Sequence, residues 1–189
     1  EEAGGDYGAR YLVEDHPRLF EGIRYGFGEF GGFAMHLGGQ KFYPIQVAEK
    51  LQCQMRLTIN GPAGHGSLPV QGGAMARLGR ILQDLDEVRT PLHITPVTKM
   101  MIEGLADNTE GSTSLILRQL LRPRLADALL ANTGERLKVL APLFRNTVSP
   151  TIVRGGQKIN VIPGEITLDL DGRVLPGFAP EQMVSEVQA

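Results

Sequence analysis

From Cys53 to Asn60 the chain alternates without a break: Cys53, Met55, Leu57 and Ile59 are apolar, and Gln54, Arg56, Thr58 and Asn60 are polar. That period of two predicts an antiparallel strand with one buried face. The strand stops at NGPAGHGSLP, a glycine- and proline-rich loop. Beyond Pro69, Ala74, Met75, Leu78, Ile81, Leu82 and Leu85 recur at helical spacing, which predicts an amphipathic helix of about four turns. From about 91 to 145 the pattern is helical in short pieces, PVTKMMIEGLA, TSLILRQLLR, RLADALLAN and ERLKVLAPLF, cut by Pro96, Gly111, Pro123, Gly134 and Pro142. Strand character returns at TVSPTIVRGGQ and at GEITLDLDGRV, where Ile166, Leu168 and Leu170 face one way and Thr167, Asp169 and Asp171 the other. A last helix follows Pro180, with Met183, Val184 and Val187 on its apolar side. Strand, helix, helical insertion, strand, strand, helix is the ferredoxin-like α+β plan without its last strand: an antiparallel sheet with helices on one face.

Residues 1–50 differ from the rest. Glycines cluster at Gly4, Gly5, Gly26, Gly28, Gly31, Gly32, Gly38 and Gly39. We read a short helix over DYGARYLVED, closed by His16-Pro17, a strand around IRYGFGEF and a strand around QKFYPIQVAEK. The expected division is therefore 1–50 and 51–189, the second part holding the helical insertion at about 91–145. Both ends read as cut, one inside a motif and the other before the sheet is complete.

Composition narrows the function classes. With 42% hydrophobic residues in 189, the chain can bury a core. A net charge of −2 lacks the basic footprint of a nucleic-acid binder, and no apolar stretch is long enough for a bilayer. Cys53, the one cysteine, cannot form an internal disulfide, which fits a reducing, cytoplasmic setting. Gly26-Phe27-Gly28-Glu29-Phe30-Gly31 matches GxGxxG, but no amphipathic helix follows and Glu29 would repel a phosphate, so a dinucleotide site is not expected.

Six polar groups carry candidate chemistry. Glu1 and Glu2 alone would read as solvated carboxylates at a helix start. In an extended segment, however, neighbours point to opposite sides, so one can hold a metal while the other works as a base. Glu29 adds a third carboxylate at a glycine-rich strand end. His65, between glycines in GPAGHGSLP, has the polar mount expected of an imidazole that must reach a developing oxyanion. Asn160 in KINVIPG and Arg173 in DLDGRVLPG stand at strand ends and suit a substrate carboxylate. Taken singly, the first is a turn residue and the second a surface charge.

In the order EEAGG, GEFGG, GPAGHGSLP, INVIP and DGRVLPG, these segments resemble the co-catalytic zinc aminoacylase/carboxypeptidase family, to which acetylornithine deacetylase and succinyl-diaminopimelate desuccinylase belong. The insertion before NTVSPTIVRGGQKINVIP is most similar to the carboxypeptidase S-like branch. The resemblance implies that Glu1 is the general base, Glu2 a ligand to one zinc and Glu29 a ligand to the other. It implies that His65 reaches across a dimer to the partner's oxyanion, that Asn160 helps bind substrate, and that Arg173, near it, meets the substrate carboxylate. It also implies a homodimer formed through a lid domain, two metals per site, with cobalt or manganese as alternatives to zinc, and a peptide or N-acyl amino acid as substrate. The N-terminal part is then the edge of an α/β zinc-hydrolase catalytic domain.

The family also needs an upstream histidine, a bridging aspartate and a downstream histidine, and His16, His36 and His93 sit in no motif that replaces them. Two isolated carboxylates are too few for tight zinc binding, so this chain alone is expected to be inactive. The alternative is a non-enzymatic α+β module for self-association or ligand binding, since folds of this type host many functions.

Overall fold

The computed structural model describes residues 6–26, 33–132 and 140–188, divided between two units, Glu1–Phe33 and Ala34–Ala189. In the first unit, Asp6–Arg10 forms a π-helical turn, Tyr11–Asp15 (α1) continues it, and Pro17–Phe20 is a 3-10 turn. The helix expected over DYGARYLVED is present, and it ends at His16, whose Nε2 lies 2.8 Å from the Tyr11 hydroxyl. The strand expected around IRYGFGEF is absent from Ile23–Gly26, where Ile23 and Tyr25 are exposed and no partner strand lies alongside among the described residues. The rest of that segment lies outside the described residues.

The second unit opens on a hairpin that the glycine pattern concealed. Strands β1 (Met35–Leu37) and β2 (Gln40–Phe42) pair antiparallel from Met35↔Phe42 to Leu37↔Gln40. The two residues between them, Gly38 and Gly39, have φ of +57° and +79°, the left-handed pair that a two-residue turn requires. The strand expected to run on to Lys50 stops at Phe42, because Pro44 has no N–H to offer a ladder.

The main elements then follow in the expected order: β3 (Leu51–Asn60), β4 (Gly64–His65), α2 (Ala74–Glu87), α3 (Pro96–Asp107), α4 (Gly111–Gln119), α5 (Pro123–Asn132), β5 (Thr147–Gly155), β6 (Val161–Ile162), β7 (Glu165–Val174) and α6 (Pro180–Gln188). Three long strands form an antiparallel sheet in the order β3-β7-β5. This is the ferredoxin-like arrangement, in which the third strand lies between the first and second. The β3–β7 register runs from Leu51↔Val174 to Asn60↔Glu165. On one face Ile59, Ile166, Leu168 and Leu170 are buried against Ala74 and Leu78 of α2, with Val187 of α6 packed on the same cluster. The period-two reading of both strands is thus realised residue by residue.

The other face is polar. Asp169 on β7 sits between Arg56 on β3 and Arg154 on β5, accepting hydrogen bonds of 2.6 and 2.5 Å. The hydrogen bond from Arg56, then that from Arg154, holds its carboxyl well below the usual carboxylate range. Its folded pKa is depressed, so the stability it contributes is present above about pH 4 and is lost as pH falls toward the folded value. We predict that Asp169→Asn is less stable than the wild type at pH 7. Its denaturation midpoint should also fall less on acidification from about pH 5 to 3, which chemical denaturation across that range checks.

The helical insertion builds a core of its own from Ile102, Leu105, Leu117, Leu120, Leu130 and Phe144, against which Met35, Leu37 and Phe42 of the hairpin also pack. Its ends are stitched together. The amide of His93 donates to the Phe144 carbonyl at 2.7 Å, and Leu92 bridges Arg145. Thr95 caps α3, its hydroxyl accepting the Thr98 N–H at 3.1 Å ahead of Pro96 in the first turn. Where the insertion returns to the sheet stands Asn146, whose side chain is fully buried. Its Oδ1 accepts the Leu175 N–H at 2.8 Å, and its Nδ2 donates to Glu186 Oε2 on α6 at 2.9 Å. The other oxygen of Glu186 meets His93 Nε2 at 2.6 Å.

Candidate functional site

His65 is placed by a chain of close approaches. After β3, Gly61 N–H donates to the Gly164 carbonyl at 2.9 Å, and the chain passes against the start of α2. A Cβ at Gly61 would lie 2.3 Å from the amide nitrogen of Ala74, so no larger residue fits without moving backbone. β4 then pairs with β6, Gly64↔Ile162 and His65↔Val161. The Gly66 N–H donates to the Asn160 carbonyl at 2.8 Å. Two short strands, about a hundred residues apart in sequence, thereby set His65 and Asn160 beside each other.

The imidazole is oriented from one side. Its Nδ1 lies 2.7 Å from the Ser67 hydroxyl and accepts the Ser67 N–H at 3.3 Å. Nδ1 is then the acceptor, so in the neutral ring the proton is on Nε2, which has no partner among the described residues. His65 and Asn160 are exposed, and around them Leu68, Ile159 and Val161 expose apolar side chains. The arrangement offers one exposed N–H donor, at His65, with the exposed Asn160 amide on the neighbouring segment. Ser67 was not singled out from the sequence, although its place two residues after His65 is the signal. Gly61→Ala is expected to cost about 1–3 kcal/mol by overpacking. It should also displace the His65 loop, which urea denaturation and the amide shifts of Gly64–Ser67 check together.

Arg173 is elsewhere. Both Arg173 Nε and Nη2 donate to Asp171 Oδ2, at 3.2 and 3.1 Å, and the residue pairs with Gln52 and Thr147 across the sheet. It stands eight positions along β7 from Glu165, the residue at the His65 end. At about 3.3 Å per residue this is roughly 26 Å. The expectation that Arg173 lies near Asn160 is therefore corrected: an extended strand carries the thirteen-residue separation to the opposite end of the sheet. There Arg173 lines a cleft of about 390 Å³ together with Lys50, Thr147, Val97, Pro142 and Leu143. Lys50 donates to the Arg145 carbonyl at 2.6 Å, and burial lowers its pKa to about 8.

Glu1, Glu2 and Glu29 lie outside the described residues. Among the described residues no three or more His, Cys, Asp or Glu side chains are grouped as a metal site requires. Among the same residues no helix is long and apolar enough to cross a membrane.

Comparison with known proteins gives the family. The chain is 26% identical over 151 residues to an uncharacterized carboxypeptidase of Schizosaccharomyces pombe, covering 76% of this chain and 24% of that protein. It is 28% identical over 144 residues to the human N-fatty-acyl-amino acid synthase/hydrolase, covering 76% of this chain and 27% of that protein. The chain thus spans about a quarter of the length of these curated relatives. Among solved structures, human carnosine dipeptidase 1 superposes with a TM-score of 0.53 at 14% identity, over 100% of this chain and 41% of that one, a likeness of fold alone. Residues 47–189 match the model of the peptidase dimerisation domain of the M20 family, and the chain belongs to that family.

Proposed function

We propose that this chain is the lid and dimerisation domain, residues 51–189, with the adjoining edge of the catalytic domain, residues 1–50, of a metal-dependent amide hydrolase acting on a peptide or N-acyl amino acid. The observation that carries the reading is the β4–β6 pairing. It brings the backbone segments that carry His65 and Asn160 alongside each other at an exposed place with an apolar rim. The pair acts on a substrate held by another surface, in a homodimer the partner's catalytic domain. As negative charge develops on the carbonyl oxygen, the His65 N–H donates to it and the Asn160 amide helps fix the substrate. Arg173, at the opposite end of β7 from the His65 loop, serves a different site from His65 of its own chain; its planar fork binds a carboxylate there.

Glu1 is the proposed general base, and Glu2 and Glu29 are proposed ligands for two metal ions, zinc first, with cobalt or manganese as alternatives. Bound metal would polarise the substrate carbonyl and lower the pKa of water. The described residues do not themselves form its site. Cys53, as a free thiol, fits a cytoplasmic setting. In the test, the full-length protein should release amino acid from dipeptides or N-acyl amino acids, lose activity to a chelator and regain it with zinc. The 189-residue chain alone should be inactive. Hydrolysis by the chain alone, or two tightly held zinc ions per chain, would overturn this assignment, and a full-length protein without turnover would favour the non-enzymatic module.

A further inference from the structure

Residues 43–50, ahead of β3, carry no helix or strand, and Tyr43, Ile45 and Val47 among them are exposed. Such a stretch between two parts of a chain is ordinarily where they swing. Both of its ends, however, are fastened to the same body, the helical insertion. On the near side, Met35, Leu37 and Phe42 share the apolar face of the β1–β2 hairpin, while His36 and Lys41 pair on the exposed face. That apolar face packs on the insertion core. The turn abuts α4, since a Cβ at Gly38 would lie 3.1 Å from the Thr113 methyl group. On the far side, Lys50 Nζ donates at 2.6 Å to the carbonyl of Arg145, where the insertion ends. The hairpin precedes residues 47–189, the part that matches the dimerisation domain, and yet it covers a core inside that part.

A two-stranded hairpin with three residues a side is at best marginally stable in water. Its strands stay paired only while their apolar face is covered, so docking and folding of the hairpin are one event. We infer that residues 35–42 are a strap: docked on the helical insertion, they bypass residues 43–50 and make the hairpin and residues 51–188 a single moving body. Movement at residues 43–50 then requires the strap to leave the insertion and unfold, exposing Met35, Leu37 and Phe42 to water. That the strapped body is a lid over an active site rests on the function proposed above; the docking itself does not.

The test reads amide hydrogen exchange and limited trypsin digestion of the 189-residue chain. In the unaltered chain the amides of Met35–Leu37 and Gln40–Phe42 are expected to exchange far more slowly than those of an open chain. Trypsin is expected to cut slowly after Lys41, although that residue is exposed. Leu37→Ser removes part of the apolar contact and should speed exchange and cutting by about tenfold, with the amides of β3, β5 and β7 unchanged. His36→Ser, on the exposed face, should change neither rate. The inference is overturned if the hairpin amides of the unaltered chain exchange at open-chain rates, if Leu37→Ser leaves both rates in place, or if His36→Ser speeds them as much. Because protection is read first in the unaltered chain, the inference stays testable if Leu37→Ser fails to fold. Failure here with metal-dependent turnover intact removes the strap alone. A protected hairpin in a full-length protein without turnover removes the hydrolase reading and keeps the strap.

Discussion

Replacing His65 by alanine in the full-length protein is expected to lower kcat by about 10²–10³ while KM changes little, a loss of about 2.7–4 kcal/mol in the range of other oxyanion donors. The split follows from the geometry. Ser67 fixes Nδ1 as acceptor and leaves Nε2–H as the outward donor, so the group meets the carbonyl oxygen most strongly when that oxygen gains charge. A residue that merely held the loop would raise KM as well, and equal losses in kcat and in affinity would count against the assignment. Steady-state kinetics of His65→Ala and His65→Gln decide between them, with partial retention expected for the glutamine amide.

The largest effect on stability is expected at Asn146. In Asn146→Ala the buried Leu175 N–H loses its acceptor and Glu186 its donor. Each orphaned group costs about 1–3 kcal/mol, so a loss of about 3 kcal/mol is expected. For a chain of this length that lowers Tm by roughly 6–12 °C. His93 meets the same carboxylate, so Asn146→Ala and His93→Ala should couple in a double-mutant cycle by about 0.5–3 kcal/mol. A Tm within about 2 °C of the wild type would show that the three-part contact among insertion, sheet and α6 is not holding them together. Thermal unfolding of the two single variants and the double variant measures both quantities.

The elements with a sustained period were legible in the sequence, and the contacts between distant elements were not. Cys53–Asn60 and Glu165–Val174 alternate long enough to name their buried faces, and Ala74–Leu85 keeps helical spacing through its length. The hairpin of β1 and β2 has three residues a side, too few for a period to register, and its glycines looked like site glycines rather than a turn. The strand read through Tyr43–Lys50 failed on one proline. His65 and Asn160 stand out in the sequence by their glycine- and turn-rich settings, and the pairing that lays their segments alongside each other is not visible there. The resemblance groups Arg173 with Asn160, but strand geometry carries it to the other end of β7. Lys50 carries no sequence signal: it lines a cleft with Val97, Pro142 and Leu143, residues distant from it along the chain. The network of Asn146, Glu186 and His93 joins residues from three segments, and no local pattern announces it.

The central claim is that His65 of one subunit works in the active site of the other, and subunit complementation measures this directly. Full-length His65→Ala and Glu1→Gln proteins, each inactive alone, are unfolded together, refolded as an equal mixture and assayed. Half of the dimers are then mixed. Each mixed dimer has one site that combines an intact Glu1 with the partner's intact His65, so activity should return to about a quarter of the wild-type value per subunit. A mixture that contains mixed dimers and stays inactive would contradict the account, because it would place His65 and Glu1 of the same chain in the same site.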